Sequence, residues 1–330
     1  MCAPKVSVVI PVYNGAAVIG RCIEALKDQD YPRRDYEIIA VDDGSTDATP
    51  RILDELGVRW ARQPNAGPAS ARNRGARMAS GDIILFIDSD CVALRNWISE
   101  MVRPFSDPQV AAVKGSYRTE QKGLTARFVQ AEFEERYRLQ ERFRYIDFVD
   151  SYSAAFRRSV FLDSGGFDEG FPVADHEDVD LSYRLAALGH KMVFNRAAVV
   201  THTHPDSPCR YFRTKMRRGW WRMVVYKRYP EKMARDTYTP QTLKAQILLV
   251  YAMAGSLAAA AFDAALLPLA AAAPVAFLAT TVPFCLKTAA FDRGAALAAP
   301  AFLLLRASAF AIGVIGGVIA GRVRPAGGED

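Results

Sequence analysis

The side chains in this sequence that could do chemistry are mostly acidic, and they come in short clusters. They are Asp42-Asp43-Gly44-Ser45-Thr46-Asp47, Asp88-Ser89-Asp90, the run from Asp175 to Asp180 with its Glu177-Asp178 pair, and, adding nitrogen, His202 and His204. Carboxylates one residue apart can hold a divalent cation or accept from ribose hydroxyls or the N–H of a base, but they repel a bare phosphate. If the ligand is a diphosphate, a metal must stand between it and these acids. A carboxylate beside a hydroxyl can instead take its proton in the transition state, which turns a poor nucleophile into a competent one. Histidines at i and i+2 add metal-ligand capacity. Capping, turn building and the helix dipole explain single acids at such places. They do not require Asp175, Glu177, Asp178 and Asp180 within six residues.

Strands and helices must carry these clusters to one place. Val6 to Ile10 reads as a short buried strand, and Ile19, Ile23 and Leu26 recur behind it at helical spacing. Tyr36 to Val41 is a second strand ending in the Asp42 to Asp47 loop, Arg51 to Leu56 a second helix, and Val58 to Trp60 a third strand. A helix from about Ala69 to Met78 precedes the strand Asp82 to Ile87, which closes on Asp88-Ser89-Asp90. Leu181, Arg184, Leu185 and Leu188 mark a helix opened by Glu177-Asp178, and the strand Ala197 to Val200 leads to His202. Alternating strands and helices predict an α/β fold, with a parallel sheet covered on both faces and ligands bound beyond the carboxyl ends of the strands. No G-x-G-x-x-G follows the first strand and no G-x-x-x-x-G-K-[ST] occurs, so dinucleotide and P-loop chemistry lose their support.

With these residues in view, the chain resembles the family 2 glycosyltransferases, which have the GT-A fold, a Rossmann-like nucleotide-diphospho-sugar transferase domain. The resemblance covers about residues 4 to 235 and rests on PVYNG at 11–15, VDDGSTD at 41–47, NAGPASARNRG at 65–75, DSD at 88–90, SGGFDE at 164–169 and HEDVDLSYRL at 176–185, in that order. It implies a nucleotide-sugar donor held by Pro11, Tyr13 and Asn14, with Tyr13 at the base and Asp43 accepting from it, uracil in the common case. Asp88 would lie near the ribose, Arg72 and Asn73 near the nucleotide, and Asp90 would hold Mn²⁺ or Mg²⁺ against the diphosphate. His202 is the expected second metal ligand, with His204 as its substitute; His176 and His190 are read as structural. The resemblance places the catalytic base at Asp178, beside Glu177, and implies inversion at the anomeric carbon. Membrane-bound polysaccharide synthases of the family carry Q-x-x-R-W, where this chain has Lys215-Met216-Arg217-Arg218-Gly219-Trp220. That departure favours single transfer over processive synthesis and leaves Arg218, or Arg217, to neutralise the diphosphate leaving group. The alternatives are an inactive nucleotide-sugar-binding membrane scaffold and a metal-dependent hydrolase using Asp90, Asp178 and His202.

The composition averages two unlike parts. Over 330 residues the chain is 50% hydrophobic and 24% charged with a net charge of +6, which describes a mildly basic globular protein and excludes disorder or a collagen-like repeat. Residues 241–330 hold only 6 of the 42 Lys and Arg and 4 of the 36 Asp and Glu, with 27 alanines. Residues 245–262 and 264–286 are uncharged, each about the ~20 residues a helix needs to cross hydrocarbon. Pro268, Pro274 and Pro283 would kink the second run. A third run, 295–320, contains Arg306, which would have to snorkel to an interface, and a small-residue face at Gly313, Gly316, Gly317 and Gly321. Two to three spans are expected. Between residues 205 and 235, ten Lys and Arg face only Asp206 and Glu231, interleaved with Tyr211, Phe212, Trp220 and Trp221. Such a segment suits a helix in the headgroup plane of an anionic leaflet, the reading preferred here over a nucleic-acid patch.

The expected organisation is therefore a GT-A catalytic domain over 1–204, a basic interfacial segment over 205–240 and a membrane anchor over 241–330. The basic segment before the first run, and the Asp263 loop without Lys or Arg, place the catalytic domain on the cytoplasmic face. Lys287 and Arg293 fit a return to that side, whereas Arg322 and Arg324 fit a third crossing poorly. The apolar run Val6 to Ile10 is too short for a signal peptide core. Cys2, Cys22, Cys91, Cys209 and Cys285, odd in number and scattered, are the usage of a reducing compartment. The expected acceptor is membrane-associated, either lipid-linked or a saccharide.

Overall fold

A computed structural model describes residues 4–171 and 176–319. Cys2, Asp175, Gly321, Arg322 and Arg324 lie outside the described residues. The described residues form two compact units, one running to Glu120 and resuming from Gln140 to Thr203, the other made of Gln121–Leu139 and residues 204–319.

The first unit is built on one eight-stranded sheet, β1 (Val6–Val12), β2 (Tyr36–Asp42), β3 (Arg59–Arg62), β4 (Ile83–Ile87), β5 (Val92–Ala93), β6 (Val110–Arg118), β7 (Ser153–Arg157) and β8 (Lys191–Thr201), in the order β3-β2-β1-β4-β7-β6-β8-β5. Helices α1 (Ile19–Lys27), α2 (Thr49–Leu56), α3 (Pro68–Met78), α4 (Trp97–Val102), α6 (Arg158–Asp163) and α7 (Glu177–Ala187) belong to the same unit. Residues of β1 and β4 are buried throughout, as strands covered on both faces must be, which is why they read as unbroken apolar runs. Phe86 of β4 anchors the core, with the rings of Phe156, Phe161 and Phe167 at 6.0, 5.1 and 5.3 Å.

The sheet is mixed, where the sequence predicted a parallel one. β1 runs parallel to β2 and β4, and β6 to β8, but β7 is antiparallel to both β4 and β6, and β5 is antiparallel to β8. Hydrophobic periodicity marks a strand but carries no direction, and β7, only Ser-Ala-Ala-Phe-Arg, offers nothing else to read. The order also places β2, β1 and β4 side by side with Val12 opposite Asp42 and Val9 opposite Phe86, so the three polar strand ends emerge together.

The second unit holds α5 (Leu124–Gln140), α8 (Pro208–Arg228), α9 (Glu231–Ala234), α10 (Gln241–Ala260), α11 (Leu267–Ala289) and α12 (Arg293–Ile319). Three helical stretches, Gln241–Ala260, Ala264–Ala289 and Arg293–Ile319, are long and apolar enough to cross a membrane, with mean hydropathies of 1.5, 1.9 and 2.1. α11 continues through Pro274 and Pro283. α12 exposes Leu297, Leu304, Ile312, Ile315 and Ile319 along one stripe and buries Leu303, Phe310, Gly313 and Gly317. The buried stripe packs on α8: a Cβ at Gly313 would overlap the Met216 carbonyl, and one at Gly317 the Trp220 carbonyl. The small-residue face therefore receives the basic helix, which sits along α12 through Gly219, Trp220 and Met223.

Arg306 does not snorkel. It is 2% exposed and donates from Nη1 to Glu132 Oε1 at 3.1 Å and from Nη2 to Gln246 Oε1 at 2.9 Å. Lys215 Nζ reaches the other Glu132 oxygen at 2.8 Å. Burial alone would raise the Glu132 carboxyl, but Lys215 and Arg306 hold it down at about 2, so the charge is kept and shared between two cations. Removing one partner of a buried pair leaves an uncompensated charge. Glu132→Leu, which leaves Lys215 and Arg306 buried together without their carboxylate, should lower stability in detergent by about 3 kcal/mol or more, and Arg306→Met, which leaves Glu132 paired with Lys215, should cost less; thermal unfolding of the three proteins checks it.

Candidate active site

The site begins where β1 ends. Pro11 is buried in the strand, Tyr13 follows it with its side chain 52% exposed, and Asn14 adopts φ 49°, a left-handed conformation that Asn tolerates. Asn14 turns its side chain inward: Oδ1 accepts from the Thr46 N–H at 2.8 Å, while its own N–H donates to Ser45 Oγ at 2.8 Å. These bonds pin the 42–47 loop to the end of β1. Asp42 is buried, accepts from the Ser45 N–H at 3.0 Å and is ion-paired with Arg62, whose Nε lies 3.2 Å from Oδ2. Asp43, 3% exposed, accepts at Oδ1 from Gln63 Nε2 and the Ala66 N–H at 2.8 and 2.9 Å, and at Oδ2 from the Gly67 N–H at 2.9 Å. Its carboxylate is fixed in place by three donors, and Tyr13 stands exposed at the neighbouring strand end.

Asp88 and Asp90 follow β4. Asp88 Oδ1 accepts from Arg72 Nη2 at 2.7 Å, and the other guanidinium nitrogen of Arg72 donates to Glu177 Oε1 at 2.8 Å. Arg72, on α3, is thus a buried bridge between the β4 end and the start of α7. Its neighbour Asn73 faces the segment after α6: Nδ2 donates to Phe167 O at 2.8 Å and Glu169 Oε1 at 2.9 Å, and Oδ1 accepts from the Phe167 N–H at 2.9 Å. Gly166, at φ 68°, allows this approach, since a Cβ there would fall 2.5 Å from Asn73 Oδ1.

His202 closes the metal side. Its Nε2 lies 3.3 Å from Asp90 Oδ2, and its ring stacks on Tyr117, which in turn stacks on Tyr152 with centroids 4.5 and 3.3 Å apart. Asp90, Cys91 and His202 form the group of candidate ligands among the described residues, their atoms all within 4.8 Å of one another. Burial, with Asp88 and Asp90 beside it, pushes the Cys91 thiol far up. Burial also pushes Asp90 up, but the His202 hydrogen bond and charge outweigh that and hold the carboxyl below its ordinary value. A half-exposed carboxylate and an imidazole converging on one point fit an ion such as Mn²⁺ or Mg²⁺. His204 belongs to the second unit, where its ring stacks on Phe133 at 5.3 Å and bonds Gln130 Oε1 at 3.0 Å. Arg217 and Arg218 lie on α8 of that unit, Arg217 exposed and Arg218 half-buried.

Asp178 stands in the first turn of α7, after His176 at φ 72°. Burial raises its carboxyl well above the ordinary value, and the negative charges of Glu177 and Asp150 raise it further, while Arg72 opposes them. Its Oδ2 accepts from the Ser151 N–H at 3.4 Å. Asp150 is ion-paired with the fully buried Lys114 of β6. Sequence reading passed over Asp150, Lys114, Tyr117 and Tyr152. Lys114 had a signal, as the one charge interrupting Val110 to Tyr117; the tyrosines had none.

Residues 7–165 match the sequence profile of Glycosyl transferase family 2. Glycosyltransferase AglE of Haloferax volcanii is 30% identical over 216 residues, 62% of this chain and 68% of that protein. The chain belongs to glycosyltransferase family 2. The chain is also 30% identical over 256 residues to the pre-mycofactocin glycosyltransferase of Mycobacterium tuberculosis, covering 74% of this chain and 52% of that one. It is 31% identical over 228 residues to the validoxylamine A glucosyltransferase of Streptomyces hygroscopicus subsp. jinggangensis, 58% and 54% of the two chains. It therefore spans about half the length of these two relatives. Among solved structures, the mannosyltransferase PcManGT from Pyrobaculum calidifontis, in complex with GDP-Man and Mn²⁺, superposes with a TM-score of 0.61 at 25% identity over 97% of this chain and 88% of that one. GalNAc-T7, with UDP, GalNAc and Mn²⁺, reaches 0.50 at 20% identity over 72% of this chain and 52% of that one, a likeness of fold. The first unit has the GT-A fold.

Asp43→Ala would leave the buried Gln63 and Gly67 donors, and the Ala66 N–H, without their acceptor. A loss of about 2 kcal/mol is expected, read as a lower thermal unfolding midpoint, with Asp43→Asn losing less.

Proposed function

We propose that this glycosyltransferase moves a sugar from a nucleoside-diphosphate donor, a UDP-sugar in the commonest form, to a lipid-linked or saccharide acceptor at a membrane, by one inverting in-line displacement. The observation that carries the reading is the Asp178 carboxylate, half-buried, raised well above the usual carboxylate range, and tied through Glu177 and Arg72 to the strand end that bears Asp88 and Asp90. A base must hold a proton well enough to take one from a hydroxyl, and a raised carboxyl does so better than an ordinary one.

The exposed Tyr13 ring offers a face for the base, and Asp43, already oriented by three donors, keeps lone-pair capacity at Oδ2 for a base N–H. Asp88 is assigned to the ribose side, and Arg72 and Asn73 to the walls that keep this end in shape. Asp90 and His202 would hold Mn²⁺ or Mg²⁺. When bound, that ion supplies positive charge that offsets the departing diphosphate. PcManGT, solved with GDP-Man and Mn²⁺, supports a nucleotide donor with a divalent ion. Asp178 takes the acceptor hydroxyl proton as that oxygen bonds the anomeric carbon; the nucleoside diphosphate leaves from the opposite face, and Asp178 returns its proton to solvent. The family membership and the relatives named as glycosyltransferases favour transfer over the scaffold and hydrolase readings.

The three apolar helices are assigned to the membrane, with the catalytic unit on its cytoplasmic face. Leu248 and Leu257 of α10, Val275 and Leu286 of α11, and the exposed stripe of α12 present apolar side chains that lipid would cover. The basic face of α8 would meet anionic headgroups.

The tests are kinetic. Asp178→Asn should lower transfer by about a thousandfold or more while Mn²⁺-dependent nucleotide binding stays near wild type; a fully active variant would remove Asp178 as the base. Because Asp178 works only when deprotonated and its carboxyl is raised, wild-type turnover should climb with pH, its acid midpoint lying above the ~4 of an ordinary carboxylate. Chelation should abolish transfer, and Mn²⁺ or Mg²⁺ should restore it.

A further inference from the structure

Arg72 joins the donor side of the site to the base side through one cation. Its guanidinium is 2% exposed, and its two terminal nitrogens serve different acids, Asp88 at 2.7 Å and Glu177 at 2.8 Å. Both bonds are charge-assisted, and the planar fork spans both carboxylates at once, which a lysine ammonium at the end of a flexible stem does poorly. The first turn of α7 needs such a tie. His176 precedes it in a left-handed conformation and supplies no side-chain cap, and Asp178 is held by the Val179 N–H on Oδ1 at 2.8 Å, the Ser151 N–H on Oδ2 at 3.4 Å and Ser182 Oγ on its carbonyl at 2.6 Å. Glu177 is itself 2% exposed, so its carboxylate has no solvent to fall back on if the guanidinium is lost.

We propose that Arg72 is a positioning residue for the general base: anchored on Asp88, its guanidinium fixes Glu177 and thereby sets where Asp178 meets the acceptor hydroxyl, so that turnover, and not donor affinity alone, depends on it. The proposal rests on Asp178 being the base. It has an electrostatic consequence as well. Asp178 faces the carboxylates of Glu177 and Asp150, the latter paired with Lys114, and Arg72 is the cation that counteracts them. The same side chain therefore holds the base in place and keeps it from binding its proton too tightly.

The experiment uses the full chain in detergent with a membrane-extract acceptor and follows release of UDP from UDP-glucose or GDP from GDP-mannose, whichever turns over, across a pH series. The proteins are wild type, Arg72→Met, Arg72→Lys, Glu177→Gln and the Arg72→Met/Glu177→Gln double variant, with Mn²⁺-dependent UDP or GDP binding measured by calorimetry. Arg72→Met is expected to lower kcat by about a hundredfold, with donor KM changed by less than about threefold. Its acid midpoint should move up by about one pH unit. Arg72→Lys should keep the wild-type midpoint, because the charge remains, yet lose about tenfold in kcat because the double grip is gone. The double variant should be no slower than Arg72→Met alone, the mark of two residues acting through one contact. The proposal is overturned if Arg72→Met raises donor KM and weakens nucleotide binding with kcat and acid midpoint unchanged, which would make Arg72 a plain donor contact. If Arg72→Met does not fold, as judged by thermal unfolding and gel filtration, Arg72→Lys decides, and wild-type kcat there overturns it. Failure of the base assignment is read separately, since Asp178→Asn would then be active whatever Arg72 does.

Discussion

A buried guanidinium must find acceptors for its charge and its N–H groups inside the protein, because water is not there to supply them. At Arg72 those acceptors come from opposite parts of the catalytic unit, Asp88 beyond β4 and Glu177 at the start of α7. Much of the local architecture follows from meeting that demand. α3 must enter from Gly67, whose N–H bonds Asp43, so the residue assigned to the nucleotide base also fixes the helix that carries Arg72. One residue further along, Asn73 ties the same helix to Phe167 and Glu169, and the Phe167 ring packs both on Phe86 of β4 and under the Arg72 guanidinium. Strand ends, helix start and core are thus fastened at one place, which is what a displacement reaction needs, since acceptor, anomeric carbon and leaving group must be held in line.

The helical unit solves the converse problem. There a buried carboxylate, Glu132, is shared between two cations, Lys215 of α8 and Arg306 of α12. A charged residue inside an apolar helix is costly unless paired, and the pairing here also fixes how α5, α8 and α12 pack. The glycines of α12 serve the same packing by letting the α8 backbone approach.

Strand runs with a polar end were legible as such: β1, β2 and β4 are β-branched and apolar, and their terminal Tyr13, Asp43 and Asp88 to Asp90 sit where the sequence put them relative to the strands. The direction of β7 was not legible, because alternation and burial are the same for a strand run either way. Spacing also reveals which residues share a strand end but not which way their hydrogen bonds point. Asn14 and Asn73 are examples: the motif shows where they stand, but not that Asn14 Oδ1 accepts from the Thr46 N–H or that Asn73 bonds Phe167. Arg306 looked like a snorkelling charge because its partner, Glu132, lies far away in the chain and in no motif. Tyr117 and Tyr152, which stack beside His202, were invisible for the same reason: a stack of rings from one strand and two loops is a property of the fold.

The account stands or falls on the state of one carboxyl group. Isotope-edited infrared difference spectroscopy of Asp178, comparing the full chain with Asp178→Asn as the blank, reads that carboxyl directly as pH is varied. A carboxyl that stays protonated well above the ~4 of an ordinary side chain is the predicted result, because burial, Glu177 and Asp150 act together against Arg72. A titration at or below that ordinary value would contradict the proposal that Asp178, set against Glu177 and Asp150 with Arg72 opposing them, is the base.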